Sequence, residues 1–296
     1  EEVRKHWPEV AAAMQKELET WANLNCVSRK WRRDARNIID VRWVNKWQND
    51  QETQTADAPT AESATSRWVI RCRLCLRGFK DLDRDSVAKY AGTSQRSSQR
   101  LVCSEAVVRQ WDIASTDISK AFLQGVSYKE LAELSGEPLR EVNFVLPAYC
   151  IQFLRRIPGY EDFDLAREVL HCDKPGTGCN DAPRCFSMKL GKVTKECCGM
   201  TQGVADNELC FLHSDDGESR PAEPIPRQKH ISTKRLRAIM AKHVDDLKIA
   251  GDRDAIMFIL KAIEKVFGSH LTNNRHQLWD KAHPGCDDKG DHVGSE

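Results

Sequence analysis

The chain has 296 residues, 40% of them hydrophobic, which is enough to build the core of one large domain or two small ones. Its 45 basic and 44 acidic residues leave a net charge of +1, which neither requires nor excludes a nucleic-acid partner. No apolar run approaches membrane-spanning length, and twelve irregularly spaced cysteines without a signal-peptide pattern favour reduced buried thiols over a disulfide framework or a zinc site.

The N-terminal third predicts one helix followed by a hairpin. Apolar side chains recur at helical spacing over residues 8–23. Residues 38–47 and 68–79 are rich in β-formers and flank the polar tract 48–66, so we expect two strands joined by an extended tip. Basic residues cluster at 29–36 and 67–77. Each cluster is a candidate phosphate-facing patch, although for either one alone an ordinary solvated face is the simpler interpretation.

The rest of the chain alternates between helical and β patterns. Residues after 268 lose periodicity, so we expect the end of the chain to be weakly ordered. We found no internal repeat. The pattern predicts helices over 98–109, 182–190 and 254–267, strands over 110–118, 144–146, 169–171, 209–212 and 239–250, and a loop over 213–233.

Adjacent aspartates occur at 215–216, 245–246 and 287–288. The first and third pairs have polar surroundings and are most simply solvated loops. Asp245 and Asp246 differ because apolar residues lie on both sides, which predicts a tight hairpin whose turn presents two carboxylates from a buried sheet. Two like charges held there are costly unless an opposite charge offsets them, and a divalent cation would do so. An exposed hairpin tip with two solvated aspartates is the alternative.

A further carboxylate, Asp117, falls at the predicted end of the strand over 110–118, just before an expected helix near Ser119. Carboxylates from separate elements, with open positions for substrate phosphates, suit a magnesium site for phosphoryl transfer. Asp112 is the rival first carboxylate, but it lies at the start of the strand and ranks well below Asp117.

Several segments resemble, in order, the motifs of copia-type LTR retrotransposon reverse transcriptases. Residues 117–125, DISKAFLQG, resemble the family's DVKTAFLNG, and residues 243–246, HVDD, resemble its YVDD. Residues 178–184, GCNDAPR, are similar to GLKQAPR, and residues 71–79, RCRLCLRGF, to KARLVAKGF. The segments RWVNK at 42–46 and AMQKEL at 13–18 are similar to KWVFK and AMKEEL. The resemblance runs from about residue 9 to about residue 252.

The resemblance implies an α+β fold, the fingers-and-palm core of a right-hand polymerase with an antiparallel palm sheet packed on helices. Such a protein makes DNA on an RNA or DNA template from deoxynucleoside triphosphates. The expected segments are an N-terminal helix at 1–25, fingers at 26–102, a first part of the palm at 103–130, a second part of the fingers at 131–180, a second part of the palm at 181–252, and the start of a thumb or connection with a weakly ordered tail at 253–296.

The resemblance also implies roles for individual residues. Asp117, Asp245 and Asp246 would hold two Mg²⁺ or Mn²⁺ ions. Phe122 would be the steric gate against a ribose 2′-hydroxyl, with plain core packing as its alternative.

Three further residues would contribute to binding of the nucleotide or the template. Arg73 would contact the incoming triphosphate, a bidentate role suited to Arg, unless it is only a solvent-facing strand residue. Gly178 and Arg184 would shape the nucleotide pocket or contact the template.

Several positions depart from the family pattern. His243 replaces the usual Tyr, Thr177 stands where Tyr is frequent, and Asn180 and Asp181 replace Lys and Gln. These changes indicate either a divergent subfamily or a decaying copy that keeps the fold and binds nucleic acid weakly. An unrelated metal-dependent α/β enzyme is a third hypothesis, which the ordered set of motifs disfavours.

The resemblance extends to partners and location. Besides the template-primer and deoxynucleotides, we expect the thumb, RNase H and integrase domains of a longer Pol polyprotein, and no membrane. The expected location is the cytoplasm, in retrotransposon particles, or the nucleus.

Overall fold

The computed structural model describes residues 2–49, 68–90, 92–214 and 235–268. The described chain is α+β, with seven helices and two mostly antiparallel sheets. The helices are α1 (Glu2–Lys5), α2 (Trp7–Asn23), α3 (Arg96–Arg109), α4 (Tyr128–Ser135), α5 (Ile151–Leu154), α6 (Ala182–Glu196) and α7 (Arg253–Phe267). The strands are β1 (Val27–Trp31), β2 (Ile38–Asn49), β3 (Trp68–Leu76), β4 (Asp112–Asp117), β5 (Asn143–Val145), β6 (Glu168–Cys172), β7 (Thr201–Gln202), β8 (Leu209–His213), β9 (Leu236–His243) and β10 (Asp246–Gly251).

Most of the predicted elements are confirmed, with bounds that differ by a few residues. The expected helix after Ser119 is wrong in kind, because Lys120 takes a left-handed φ of 54° and only one 3₁₀ turn, Ala121–Gln124, follows. The predicted hairpin tip lies in the part of the chain that the structure does not describe. The same holds for the aspartate pairs at 215–216 and 287–288, for nearly all of the loop at 213–233 and for the tail after 268.

The chain divides into two compact units that alternate along the sequence. The first comprises the described residues up to 90 together with Lys120–Lys189, and the second comprises Gly92–Ser119 together with the described residues from 190 onward. The six segments expected from the sequence stay a prediction, since this division concerns compactness and not function.

The first unit contains a five-stranded sheet in the order β1-β6-β5-β2-β3, in which only β2 and β5 run parallel. Helix α2 packs on β3, because its apolar stripe, including Met14, Leu18 and Trp21, is buried in the core of this unit. The buried carboxylate of Glu17 joins the two elements, since it accepts hydrogen bonds from the backbone N–H of Leu74 (3.3 Å) and the indole N–H of Trp21 (3.2 Å).

The second unit contains an antiparallel sheet in the order β4-β10-β9-β8-β7. Helix α3 packs on one face, where Val102 and Ala106 join a core cluster with Ile239, Ala241 and Ala250. Helix α7 also contacts β9 and β10, and its Arg253 guanidinium lies 2.9 Å from the Asp112 carboxylate of β4. In β10 the residues from Ile249 to Gly251 are all buried, whereas Asp246, at the start of the strand, is exposed.

A buried guanidinium joins distant segments of the first unit. Arg140, whose side chain is 9% exposed, lies 2.6 Å from the buried Asp81 carboxylate and 2.8 Å from the buried Asp181 carboxylate. Burial raises the pKa of Asp181, whereas the pKa of Asp81 is lowered because the Arg140 and Asn37 hydrogen bonds outweigh its own burial. Such a cluster is stable only while its charges are paired.

We therefore expect Arg140→Met to lower the free energy of unfolding by about 3–5 kcal/mol, because two carboxylates lose their buried partner. Chemical denaturation followed by circular dichroism measures the change. Arg184→Met is the matched control, since it breaks the partly exposed Arg184–Glu137 pair and should cost only about 0–1 kcal/mol. Equal losses in the two variants would show that the Arg140 cluster has no special role.

Candidate active site

Two carboxylates and an imidazole form a row across three neighbouring strands of the second unit. Asp117 ends β4 and lies opposite Asp246, the first residue of β10. Asp246 in turn lies opposite His243, the last residue of β9. Directly opposite residues of antiparallel strands point to the same face, with Cβ atoms about 4.5–5.5 Å apart. Asp117 and Asp246 therefore bring like charges side by side, an arrangement that is unfavourable without a compensating cation.

Asp245 lies in the two-residue turn between β9 and β10. Its backbone carbonyl accepts a hydrogen bond from the N–H of Ile118 (3.0 Å), which joins the turn to the residue after Asp117. The other turn residue, Val244, has a φ of +58°, which is uncommon for a β-branched side chain. Strained backbone of this kind persists only where the surroundings hold it, and it concentrates at functional sites.

Both strands of the hairpin are buried close to the turn, although His243 and Asp246 themselves are exposed. In β9 the side chains of Ile239, Met240 and Ala241 are buried, and in β10 those of Leu247 and Ile249 are buried. The apolar flanks seen in the sequence thus anchor the hairpin, and the HVDD segment, with its three polar side chains, forms its tip.

The donor chemistry of this tip fits a hard divalent cation. Within the described ranges, no three His, Cys, Asp or Glu side chains lie close enough to hold one ion jointly. Magnesium in phosphoryl-transfer sites is bound by one or two carboxylates together with substrate phosphates and water, so an all-protein cage is not required. Asp117 and Asp246 supply two such carboxylates and Asp245 lies beside them.

Asp112, the rival carboxylate, occupies a different environment. It begins β4, it is buried, and its partner is Arg253 of α7. A carboxylate buried against a guanidinium has its charge compensated within the protein, so Asp112 serves to attach α7 to the sheet.

A short segment before α3 lies along the end of β9 and was not identified in the sequence. Thr93 pairs with His243, and the N–H of Ser94 donates to the carbonyl of Lys242 (2.8 Å). Helix α3 begins directly afterwards. Its first turn is capped by Asp206, whose carboxylate accepts from the Ser98 hydroxyl (2.5 Å) and the backbone N–H of Gln95 (2.9 Å). The cap thus holds α3 and this segment in place.

The Asp206 cap predicts a pH dependence. Burial alone would raise the pKa of Asp206, but the hydrogen bonds from Ser98, Gln95 and Glu208 outweigh it and lower the pKa below the ordinary 3.8. A carboxylate with a lowered folded-state pKa stabilises the fold above its unfolded pKa, and this contribution is lost as the pH falls through the folded value.

Asp206→Asn should therefore be less stable than the wild type by about 0.5–2 kcal/mol at pH 7, and the difference should shrink as the pH is lowered below 3.8. Urea unfolding measured across that range provides the test. A difference that does not change with pH would mean that the carboxylate charge plays no part in the cap.

Arg73 belongs to the first unit and lies on a cationic face of the β2–β3 pair. Lys46 lies opposite Arg71, Arg73 opposite Val44, and Arg42 opposite Cys75, so that all four basic side chains are on the side away from the buried Cys72, Leu74 and Leu76. Asp40, at the base of this face, is already paired with Arg77 (3.1 Å) and Lys80 (2.9 Å). The rest of the face carries the four basic side chains Arg42, Lys46, Arg71 and Arg73.

The basic cluster at 29–36 has a different role, because its charges are largely paired. Arg29 forms ion pairs with Glu168 (2.8 Å) and Asp162, and Lys30 pairs with Glu141 (2.7 Å). Arg29 and Lys30 are therefore not simply solvated, since their ion pairs join β1 to the neighbouring segments.

Phe122 lies in the 3₁₀ turn after β4. Its side chain is partly buried and packs against the core of the first unit. Core packing therefore accounts for part of its role, and a steric-gate role stays a prediction.

The segment 178–184 is used mainly for internal packing. Gly178 has a φ of +98°, and a Cβ there would come within 2.2 Å of the Leu76 carbonyl oxygen, so only glycine fits against β3. The Arg184 guanidinium forms a bidentate pair with Glu137, with both N–O distances at 2.8 Å. Asp181 is committed to Arg140.

Buried cysteines contribute to the core of each unit. Burial raises the pKa of Cys26, Cys179, Cys185 and Cys198 to about 12, so these thiols stay protonated at neutral pH.

No protein-family model matches the chain, and no curated protein matches it. None of the helices in the described ranges has the length and apolar composition needed to cross a membrane.

Proposed function

We propose that the chain is the fingers-and-palm core of a copia-type reverse transcriptase. The observation that carries the proposal is the register that sets Asp117 opposite Asp246, with Asp245 in the adjoining turn. The order of the sequence motifs supports the same proposal. The segments that contain Asp117 and Asp245–Asp246 are among those that resemble the polymerase family. The template-primer, the deoxynucleotides and the further polyprotein domains are part of the same proposal, as is a location in cytoplasmic particles or the nucleus.

Asp117, Asp245 and Asp246 would hold two Mg²⁺ or Mn²⁺ ions, which when bound supply charge stabilisation at the transferred phosphoryl group and lower the pKa of the attacking primer hydroxyl. The work of the chain is to hold these carboxylates at fixed positions on a buried sheet. The cationic face around Arg73 would bind the triphosphate or the nucleic-acid backbone, since guanidinium groups form bidentate bonds with phosphate. Phe122 would exclude the ribose 2′-hydroxyl.

A catalytically inactive relic is the second candidate, and one observation favours it. Arg184 and Asp181, from the segment that would shape the nucleotide pocket, are both engaged within the protein, with Glu137 and Arg140 respectively. A chain that had lost catalysis would keep the fold and the carboxylates yet bind nucleic acid only weakly.

Substitution of Asp117 separates these candidates. In the wild type, Mn²⁺ at a hundred times its dissociation constant should stabilise the fold by about 2.7 kcal/mol. Asp117→Asn should abolish most of this shift because a ligand is lost, and it should slightly stabilise the metal-free protein because the repulsion with Asp246 is removed. Thermal unfolding with and without Mn²⁺ measures both effects, and primer extension on an oligonucleotide-primed RNA reports activity.

Asp112→Asn is the matched control for this experiment. It removes the other aspartate of β4 and weakens the contact with Arg253, so it should lower stability while leaving the Mn²⁺ shift intact. If Mn²⁺ shifts the wild type and Asp117→Asn equally, the metal site is assigned wrongly. A metal shift without primer extension would favour the relic.

Phe122→Val tests the steric gate. Removal of the ring should increase incorporation of ribonucleotides relative to deoxynucleotides, because the clash with a 2′-hydroxyl is relieved. Phe153→Val, at a buried position of the same core, should reduce stability without changing sugar selectivity. Competition between the two nucleotide types during primer extension measures the ratio, and an unchanged ratio in Phe122→Val would leave packing as its sole role.

A further inference from the structure

A buried ion pair lies next to the turn that carries Asp245. The side chains of Lys242 and Glu208 are 2% and 8% exposed, and the Lys242 Nζ lies 3.0 Å from the Glu208 Oε2. Their backbones are joined as well, because the N–H of Lys242 donates to the carbonyl of Glu208 (2.9 Å). Lys242 directly precedes the HVDD segment, in a strand whose other central residues are apolar.

The Glu208 carboxylate also contacts the segment that holds the turn. A Cβ on Gly92 would lie 1.8 Å from the Glu208 Oε1, so the carboxylate packs directly against the glycine backbone. The Gly92 carbonyl in turn accepts a hydrogen bond from the N–H of Val244 (3.4 Å). A continuous path of contacts thus runs from Lys242 through Glu208 and Gly92 to the strained turn.

Stability alone does not explain a buried ion pair at this place. Replacing such a pair with apolar residues of similar volume is often neutral or stabilising, because the desolvation cost of two charges is removed. The Lys242–Glu208 pair is better explained as a directional contact that holds the backbone in one arrangement. Val244, with its φ of +58°, requires such support from its surroundings.

We propose that Glu208, Lys242 and Gly92 are positioning residues that hold the Val244–Asp245 turn. If the turn bears metal ligands, these three positioning residues also set the metal affinity of the site. The second statement rests on the proposed polymerase function, whereas the first concerns the protein alone.

Two variants disturb the path in different ways. Glu208→Gln combined with Lys242→Met removes both charges at nearly constant volume, so neither is left buried without a partner. Gly92→Ala keeps the charges but displaces the Glu208 carboxylate. The control is Asp112→Asn combined with Arg253→Gln, which removes another ion pair of the same unit, away from the turn.

Amide hydrogen exchange of Val244, measured by NMR without metal, is the first readout, and the dissociation constant for Mn²⁺ is the second. Both test variants should speed up exchange of the Val244 amide by about tenfold, since its hydrogen bond to Gly92 is weakened. They should also weaken Mn²⁺ binding by about tenfold or more, as loss of support behind metal ligands does. The control should change melting temperature only.

Unchanged exchange at Val244 in both test variants would overturn the proposal. Faster exchange with unchanged Mn²⁺ affinity would overturn its second statement only. If wild-type protein fails to bind Mn²⁺, the polymerase proposal and that second statement both fall, and the exchange measurement still decides whether these residues position the turn.

Discussion

The pairing register of β4, β10 and β9 is the constraint on which the candidate site depends. Because side chains alternate along a strand, a slip of one residue would move Asp117 to the face opposite Asp246 and separate the two carboxylates. The register is fixed by burial, since Ala114 of β4 and Leu247 and Ile249 of β10 must all face the interior. Hydrophobic packing, although it has no catalytic role itself, therefore places the carboxylates of Asp117 and Asp246 opposite each other.

Several charged side chains elsewhere in the described part of the chain are compensated by ion pairs. Arg140, Lys242 and Arg29 each have carboxylate partners, and these pairs join segments that are distant in sequence. The β2–β3 face differs in arrangement, because four basic side chains lie on one side of the strand pair. Under the proposed function, basic side chains would bind phosphate and the carboxylate row would bind a cation.

The sequence predicted elements with strong periodicity and could not predict contacts that depend on register. Helix α2 and the β9–β10 hairpin were identified because their apolar pattern is regular. Helix α4 was overlooked although Ser127 and Glu130 have the spacing of an N-terminal cap, and Ser127 does accept the Glu130 N–H (3.1 Å). Strand β1 was overlooked because polar residues dominate it, as is common at a sheet edge.

In the candidate site, too, local patterns could be predicted from the sequence and register-dependent contacts could not. The strand end at Asp117 and the hairpin at Asp245 follow from local patterns, and their placement could be predicted. The support from Glu208 could not, because only the β8–β9 pairing brings it to Lys242. A lysine within an otherwise apolar strand was the available signal, since such a side chain requires a buried partner.

We propose that the row formed by Asp117 and Asp246 is a metal site. Anomalous X-ray diffraction from crystals soaked in Mn²⁺ tests it most directly, because manganese is located independently of any assumed function. The proposed metal site requires an anomalous peak about 2–2.5 Å from carboxylate oxygens of Asp117 and of Asp245 or Asp246. Manganese bound only at other positions, or at none with millimolar Mn²⁺ present, would contradict it.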